Sequence, residues 1–198
     1  SISGSSNGIG TNALFNCPTD VVISSDRSYG IITDLNNNQI RKIIISTTEV
    51  SLLAGYSSVS SGSTNGIGTS AKFNAPYGIQ ISPDQIYAFI ADRGGNQIRK
   101  LVISTAQVTV FIGGTSSGTA NGVGTSATIN YPSAVDIASD GSFFLLTDRW
   151  SNQIRKVSLP APPTFATTFS PSVVPSTSPS PSPSSIPTFS PSTSPTFS

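Results

Sequence analysis

The stretch Asn38-Gln39-Ile40-Arg41-Lys42 returns unchanged as Asn96-Gln97-Ile98-Arg99-Lys100 and again as Asn152-Gln153-Ile154-Arg155-Lys156. The two steps are 58 and 56 residues. Four residues before each copy stands an aspartate: Asp34, Asp92 and Asp148. An identical pentapeptide at near-constant spacing is a structural period, and a period sets the architecture before any other signal.

Outward from this anchor, the flanking sequence falls into the same register. Asn7-Gly8-Ile9-Gly10-Thr11 matches Asn65-Gly66-Ile67-Gly68-Thr69 and Asn121-Gly122-Val123-Gly124-Thr125. Phe15-Asn16-Cys17-Pro18 matches Phe73-Asn74-Ala75-Pro76 and Ile129-Asn130-Tyr131-Pro132. Three repeats, at about 4–61, 62–117 and 118–159, therefore occupy a first domain of residues 1–159. A Pro/Ser/Thr-rich tail follows at 160–198.

Each repeat reads as short strands broken by Gly, Asn, Asp and Pro. In the first, Asp20–Ser24, Tyr29–Thr33, Gln39–Ser46 and Glu49–Leu53 are rich in β-branched and aromatic residues. The second gives Ile79–Ser82, Ile86–Ala91, Gln97–Ser104 and Gln107–Ile112, and the third Ala134–Ala138, Phe143–Thr147 and Gln153–Leu159. Where a fourth strand of the third repeat is due, Pro160, Pro162 and Pro163 stand instead, and proline cannot donate to a ladder. No sustained 3.6-residue period competes with this reading. The fold class expected is all-β, with three four-stranded antiparallel meanders of the propeller-blade type at 18–54, 76–112 and 132–159, the last incomplete. The pattern N-G-[IV]-G-T-x-A-x-[FI]-N-x-P, then an apolar strand, then D-x-x-x-N-Q-I-R-K, resembles the NHL-repeat family of β-propellers. The resemblance covers residues 4–159 and implies a partial propeller, since closed rings generally hold four to eight blades. Completion by neighbouring chains or by upstream sequence is expected, because the edge at Gln153–Leu159 exposes unpaired backbone groups. Head-to-tail contact of this kind propagates as a filament when the rotation does not close.

Composition narrows the function classes. Charged residues are 10% of the chain and the net charge is +1, so no footprint for nucleic acid or an anionic membrane is visible. No apolar run approaches the roughly 18 residues of a membrane-spanning helix. The start shows neither an initiator Met nor a signal-peptide pattern, as expected of a processed or truncated chain. Without histidine there is no imidazole base, and the lone Cys17, aligned with Ala75 and Tyr131, reads as a loop filler. Neither a metal nor a cofactor site, nor an enzyme active site, is expected. The recurring pairs Asp34/Arg41, Asp92/Arg99 and Asp148/Arg155 read as a polar clip between second and third strands, since unpaired burial of charge is costly. Trp150 falls in a turn where Asn36 and Gly94 stand, either as a plain surface residue or as a ligand-stacking aromatic.

The tail carries a second period. Proline recurs at Pro171, Pro175, Pro179, Pro183, Pro187, Pro191 and Pro195, each followed by a hydroxyl: Ser172, Ser176, Ser180, Ser184, Thr188, Ser192 and Thr196. Proline at this density favours polyproline II, about 3.1 Å per residue, so each tetrapeptide advances roughly 12 Å. The seven hydroxyls are the expected O-glycosylation sites, with the seven prolines as candidates for hydroxylation. The tail resembles Ser/Pro-rich glycoproteins of algal and plant cell surfaces and the glycan-coated fibrils of freshwater protists. That resemblance implies covalent glycans, self-association and a secreted, cell-surface or matrix location. Two functions stay open: a structural fibril glycoprotein with the tail as strut, or a propeller module that binds a protein or polysaccharide, with the tail as linker.

Overall fold

The computed structural model describes residues 2–56, 60–114 and 116–160. The tail hydroxyls and prolines named above lie outside the described residues. Three antiparallel sheets follow one another along the chain. The first contains β1 (Gly8–Ile9), β2 (Pro18–Ile23), β3 (Tyr29–Asp34), β4 (Gln39–Ile44) and β5 (Glu49–Ala54), in the order β1-β5-β4-β3-β2. The second repeats it with β6 (Gly66–Ile67), β7 (Pro76–Ile81), β8 (Tyr87–Asp92), β9 (Gln97–Val102) and β10 (Gln107–Gly113). The third contains β11 (Pro132–Ile137), β12 (Phe143–Asp148) and β13 (Gln153–Ser158). Among the described residues no helix is long and apolar enough to cross a membrane.

One detail departs from the sequence reading. The first two blades are five-stranded, because Gly8–Ile9 and Gly66–Ile67 add a two-residue strand outside β5 and β10. The pentapeptide asparagine stands just before the third strand. Asn38, Asn96 and Asn152 all adopt the left-handed conformation, with φ of 54°, 53° and 55°, and close the short 3-10 turns Leu35–Asn37, Arg93–Gly95 and Arg149–Ser151. Asparagine tolerates that region better than most residues. Cys17, Ala75 and Tyr131 share a second left-handed position just before the first strand, with φ of 57°, 55° and 63°.

The sheets pack face to face, with one apolar cluster between the first and second and another between the second and third. Ile31, Ile40, Phe73 and Ile90 belong to the former; Phe89, Ile98, Ile129 and Phe144 to the latter. The pentapeptide isoleucine records this stacking. Ile40 and Ile98 are fully buried against the following sheet, whereas Ile154, with no sheet after it among the described residues, is 67% exposed. The opposite flank is open too, with Val21 58% and Ile23 57% exposed. Ile98→Ala is therefore expected to lower unfolding free energy by about 2–5 kcal/mol. Ile154→Ala is expected to stay within about 0.5 kcal/mol. Urea unfolding of the two variants checks this; equal losses would contradict the stacking.

Candidate functional site

The end of each blade where the chain enters the first strand also holds the turn between second and third strands, as the pairings Pro18↔Asp34 and Asp34↔Gln39 show. A buried polar node stands at this end in all three copies. The Asp34 carboxylate lies 3.2 Å from the Arg41 guanidinium, and the same distance separates Asp92 from Arg99 and Asp148 from Arg155. The other carboxylate oxygen accepts from the backbone N–H of Asn16, Asn74 or Asn130 at 2.7–2.8 Å. The arginine donates further, to the carbonyls of Leu14 and Ser6, of Lys72 and Thr64, or of Thr128 and Ala120. It also donates to the side-chain oxygen of Asn7, Asn65 or Asn121 at 2.8–3.0 Å. Phe15 and Phe73 each lie 5.3 Å from the guanidinium above their ring. The node is thus wider than a clip between two strands: it fastens the whole entering loop to the blade.

The other pentapeptide residues have separate tasks. The Asn38 side-chain oxygen accepts from Ala75 N–H at 2.8 Å, and that of Asn96 from Tyr131 N–H at 3.0 Å, so each ties its blade to the next. Gln39 donates to the Tyr56 carbonyl at 3.1 Å. Lys42, Lys100 and Lys156 place their ammonium groups 4.4, 3.5 and 4.2 Å from the rings of Tyr29, Tyr87 and Phe143. In the first copy all five residues are therefore engaged in the architecture. Among the described residues no cluster of three or more His, Cys, Asp or Glu side chains could hold a metal ion.

Symmetry breaks at the same end of the blades. Tyr131 and Trp150 stack in parallel, with centroids 3.9 Å apart and an interplanar angle of 6°. Arg93 lies 4.4 Å over the Tyr131 ring and 4.9 Å over Tyr77. Because two groups cannot occupy one face, Tyr77, Arg93, Tyr131 and Trp150 form a continuous ladder across the seam between second and third blades. Trp150, at its end, is 61% exposed. Among the described residues no carboxylate lies within ion-pair distance of Arg93. The equivalent positions in the first blade are Thr19, Leu35, Cys17 and Asn36, none of which is aromatic or basic. Sequence reasoning singled out Trp150 but missed its three companions. Subtracting the repeat consensus from each copy would have exposed them.

Burial pushes the Asp92 carboxyl up to about 7, while Arg99 and the Asn74 N–H pull it back. Burial also lowers the Arg99 pKa. The folded chain thus retains a proton on Asp92 over a pH range in which an unfolded chain, with an ordinary carboxylate near 3.8, has released it. This group's stabilisation is complete below about pH 4 and declines as pH rises through about 7. Asp92→Asn is expected to flatten that part of the stability profile between pH 4 and 8 in thermal melts. Asp92→Ala is expected to cost about 3–5 kcal/mol, because it leaves the Arg99 charge buried and unpaired. Asp148→Ala should cost less, since the Arg155 side chain is 12% exposed where Arg99 is fully buried. Urea titration of both variants gives the comparison.

No family model matches the chain. The chain is 30% identical over 158 residues to the Protein SUPPRESSOR OF QUENCHING 1, chloroplastic, of Arabidopsis thaliana, covering 75% of this chain and 15% of that protein. It is 31% identical over 111 residues to NHL repeat-containing protein 2 of Bos taurus, covering 54% of this chain and 15% of that protein. The chain thus matches only 15% of the length of these curated relatives. Among solved structures it resembles an auxiliary nutrient binding protein from Bacteroides ovatus, with a TM-score of 0.62 and 18% identity, over 70% of this chain and 36% of that one. The three stacked blades are an NHL-type β-propeller segment.

Proposed function

We propose that this propeller segment is a binding module that recognises a polysaccharide through the Tyr77–Arg93–Tyr131–Trp150 ladder. The ladder itself carries the reading. An indole fixed from behind by a parallel tyrosine is a rigid, amphipathic platform that loses little entropy on binding. The apolar C–H face of a pyranose ring suits it. Arg93, held between two rings without a carboxylate partner, and the exposed Arg149 beside Trp150 offer N–H donors to hydroxyls or to an acidic sugar. The nodes beneath hold this end of each blade rigid. The test is affinity electrophoresis of the full chain through gels containing neutral or acidic polysaccharides. Retardation is expected, and Trp150→Ala is expected to weaken binding about two- to tenfold, the loss of roughly 0.5–1.5 kcal/mol of stacking. Its melting temperature should be unchanged. Equal mobility of wild type and variant in every gel sinks the reading.

The strict four-residue period of the tail supports a second reading, a secreted structural glycoprotein that self-associates into a fibril or surface appendage. A flexible linker has no need of that period, whereas regularly spaced hydroxyls on a polyproline rod suit dense glycan attachment. Native material is then expected to have a mass well above 20.4 kDa, with sugar mapped to Ser172, Ser176, Ser180, Ser184, Thr188, Ser192 and Thr196. Unmodified tail peptides in native material would leave the binding module alone.

A further inference from the structure

Of the ten basic residues of the chain, three arginines are paired in the nodes and the four lysines lie over aromatic rings. Arg27, Arg93 and Arg149 remain. All nine Asp and Glu residues of the chain are among the described residues, and the ion pairs there are those of the three nodes. None of the three remaining arginines therefore has an Asp or Glu partner. Arg27 stands in the turn between β2 and β3, beyond the pair Ile23↔Gly30 and so at the end of its blade away from the nodes. Arg93 and Arg149 open the corresponding 3-10 turns of the second and third blades, at the end that holds the ladder. Leu35 takes that position in the first blade. The aspartates just before them, Asp92 and Asp148, are fully buried in their nodes. The seam between the second and third blades thus carries two positive charges without a counter-charge.

Resting on the polysaccharide reading above, we propose that the ladder selects acidic glycans built of uronic acids. A pyranose ring stacks on Trp150, and uronate carboxylates are received by Arg93 and Arg149. The geometry of Arg93 narrows the ligand. Its guanidinium lies 4.4 Å from the Tyr131 ring and 4.9 Å from the Tyr77 ring, so aromatic groups shield its faces. A ligand then approaches in the guanidinium plane, where the N–H donors form a fork. Its Nε is buried without an acceptor, so part of the desolvation of this cation is already met by folding. A planar fork matches a carboxylate with two parallel bonds, and a charged acceptor makes each bond roughly twice as strong as a neutral hydroxyl does. Arg149 is exposed and adjoins Trp150 in the same turn, where it adds a second cation. Beyond Tyr131, the indole of Trp150 is stacked at 3.9 Å on one side and 61% exposed overall. The site therefore asks for an apolar ring face and a carboxylate in one ligand. A hexuronate unit joins the two, because its carboxylate projects from the edge of the pyranose whose C–H face stacks.

Trp150 is the chain's single tryptophan, so intrinsic fluorescence reports on this site alone. The test titrates the full chain with oligomers of galacturonate, alginate and hyaluronan, each beside its carboxyl-reduced neutral counterpart, and with dextran and dextran sulfate. A saturable emission change is expected with at least one uronate, and at least about tenfold weaker binding of its reduced counterpart. That comparison lies in the ligand, so folding of the chain is not at issue. Arg149→Gln, at an exposed position, should weaken uronate binding about three- to tenfold and leave neutral oligomers unaffected, whereas Arg27→Gln should change neither. Reduced oligomers that bind as tightly as the uronates overturn the proposal and leave the polysaccharide reading standing. No emission change and no gel retardation with any glycan overturns both. A response to dextran sulfate alone assigns the arginines to sulfate esters and overturns the carboxylate. Equal losses in Arg27→Gln and Arg149→Gln overturn it as well, because they reduce the effect to net charge.

Discussion

The constraint on which the structure depends is a charge that must not be left alone away from water. Arg41 and Arg99 are fully buried, and each is tolerable only because an aspartate 3.2 Å away and acceptors from the entering loop satisfy it. The entering loop lacks a regular ladder of its own, apart from its two-residue strand, so its carbonyls need donors from elsewhere. The guanidinium, with five donors in a rigid fork, meets several at once. A lysine at this position could not span carboxylate, carbonyls and asparagine together. The whole motif, from Asn7 through Phe15 and Asn16 to Asp34 and Arg41, is the set of residues that one buried arginine requires.

A second consequence follows from stacking. The middle blade buries two faces, so its strands are apolar on both sides, as the nearly continuous burial of β8 shows. The arrangement propagates: every blade presents to the next the same isoleucine, the same asparagine acceptor and the same apolar surface. Where the described blades stop, those groups meet solvent. Exposure of Ile154 follows from its place on the face that, in the first two blades, the next sheet covers. Among the described residues β13 pairs with β12 alone, which leaves a separate opening at the outer edge and not on the face. That is why Arg155 alone among the three node arginines is partly exposed.

Symmetry also separates scaffold from site. Features present in all three blades, such as the node, the left-handed asparagine and the lysine over an aromatic ring, perform the same structural task three times. The aromatic–arginine ladder occurs once, on a rigid end of the blades and at a seam between two of them. Its members come from the turn after β8, the loop before β11, the turn after β12 and β7 itself. A symmetric scaffold leaves such positions free to vary because their side chains point away from the stack.

The sequence by itself determined the period, the strand content and the pairing of each Asp with its Arg. These are legible because they rest on local rules: strand propensity, turn residues, and repetition of an identical pentapeptide. Tertiary structure decided the rest. That Asn7 and Phe15 serve Arg41, some thirty residues away, that Gly8–Ile9 adds a fifth strand, and that Asn38 holds the following blade depend on long-range closure, which leaves no periodic mark. The ladder was illegible for the same reason. Tyr77, Arg93, Tyr131 and Trp150 are unremarkable singly, and become a site only because stacking one blade on the next brings two turns and a loop to the same seam.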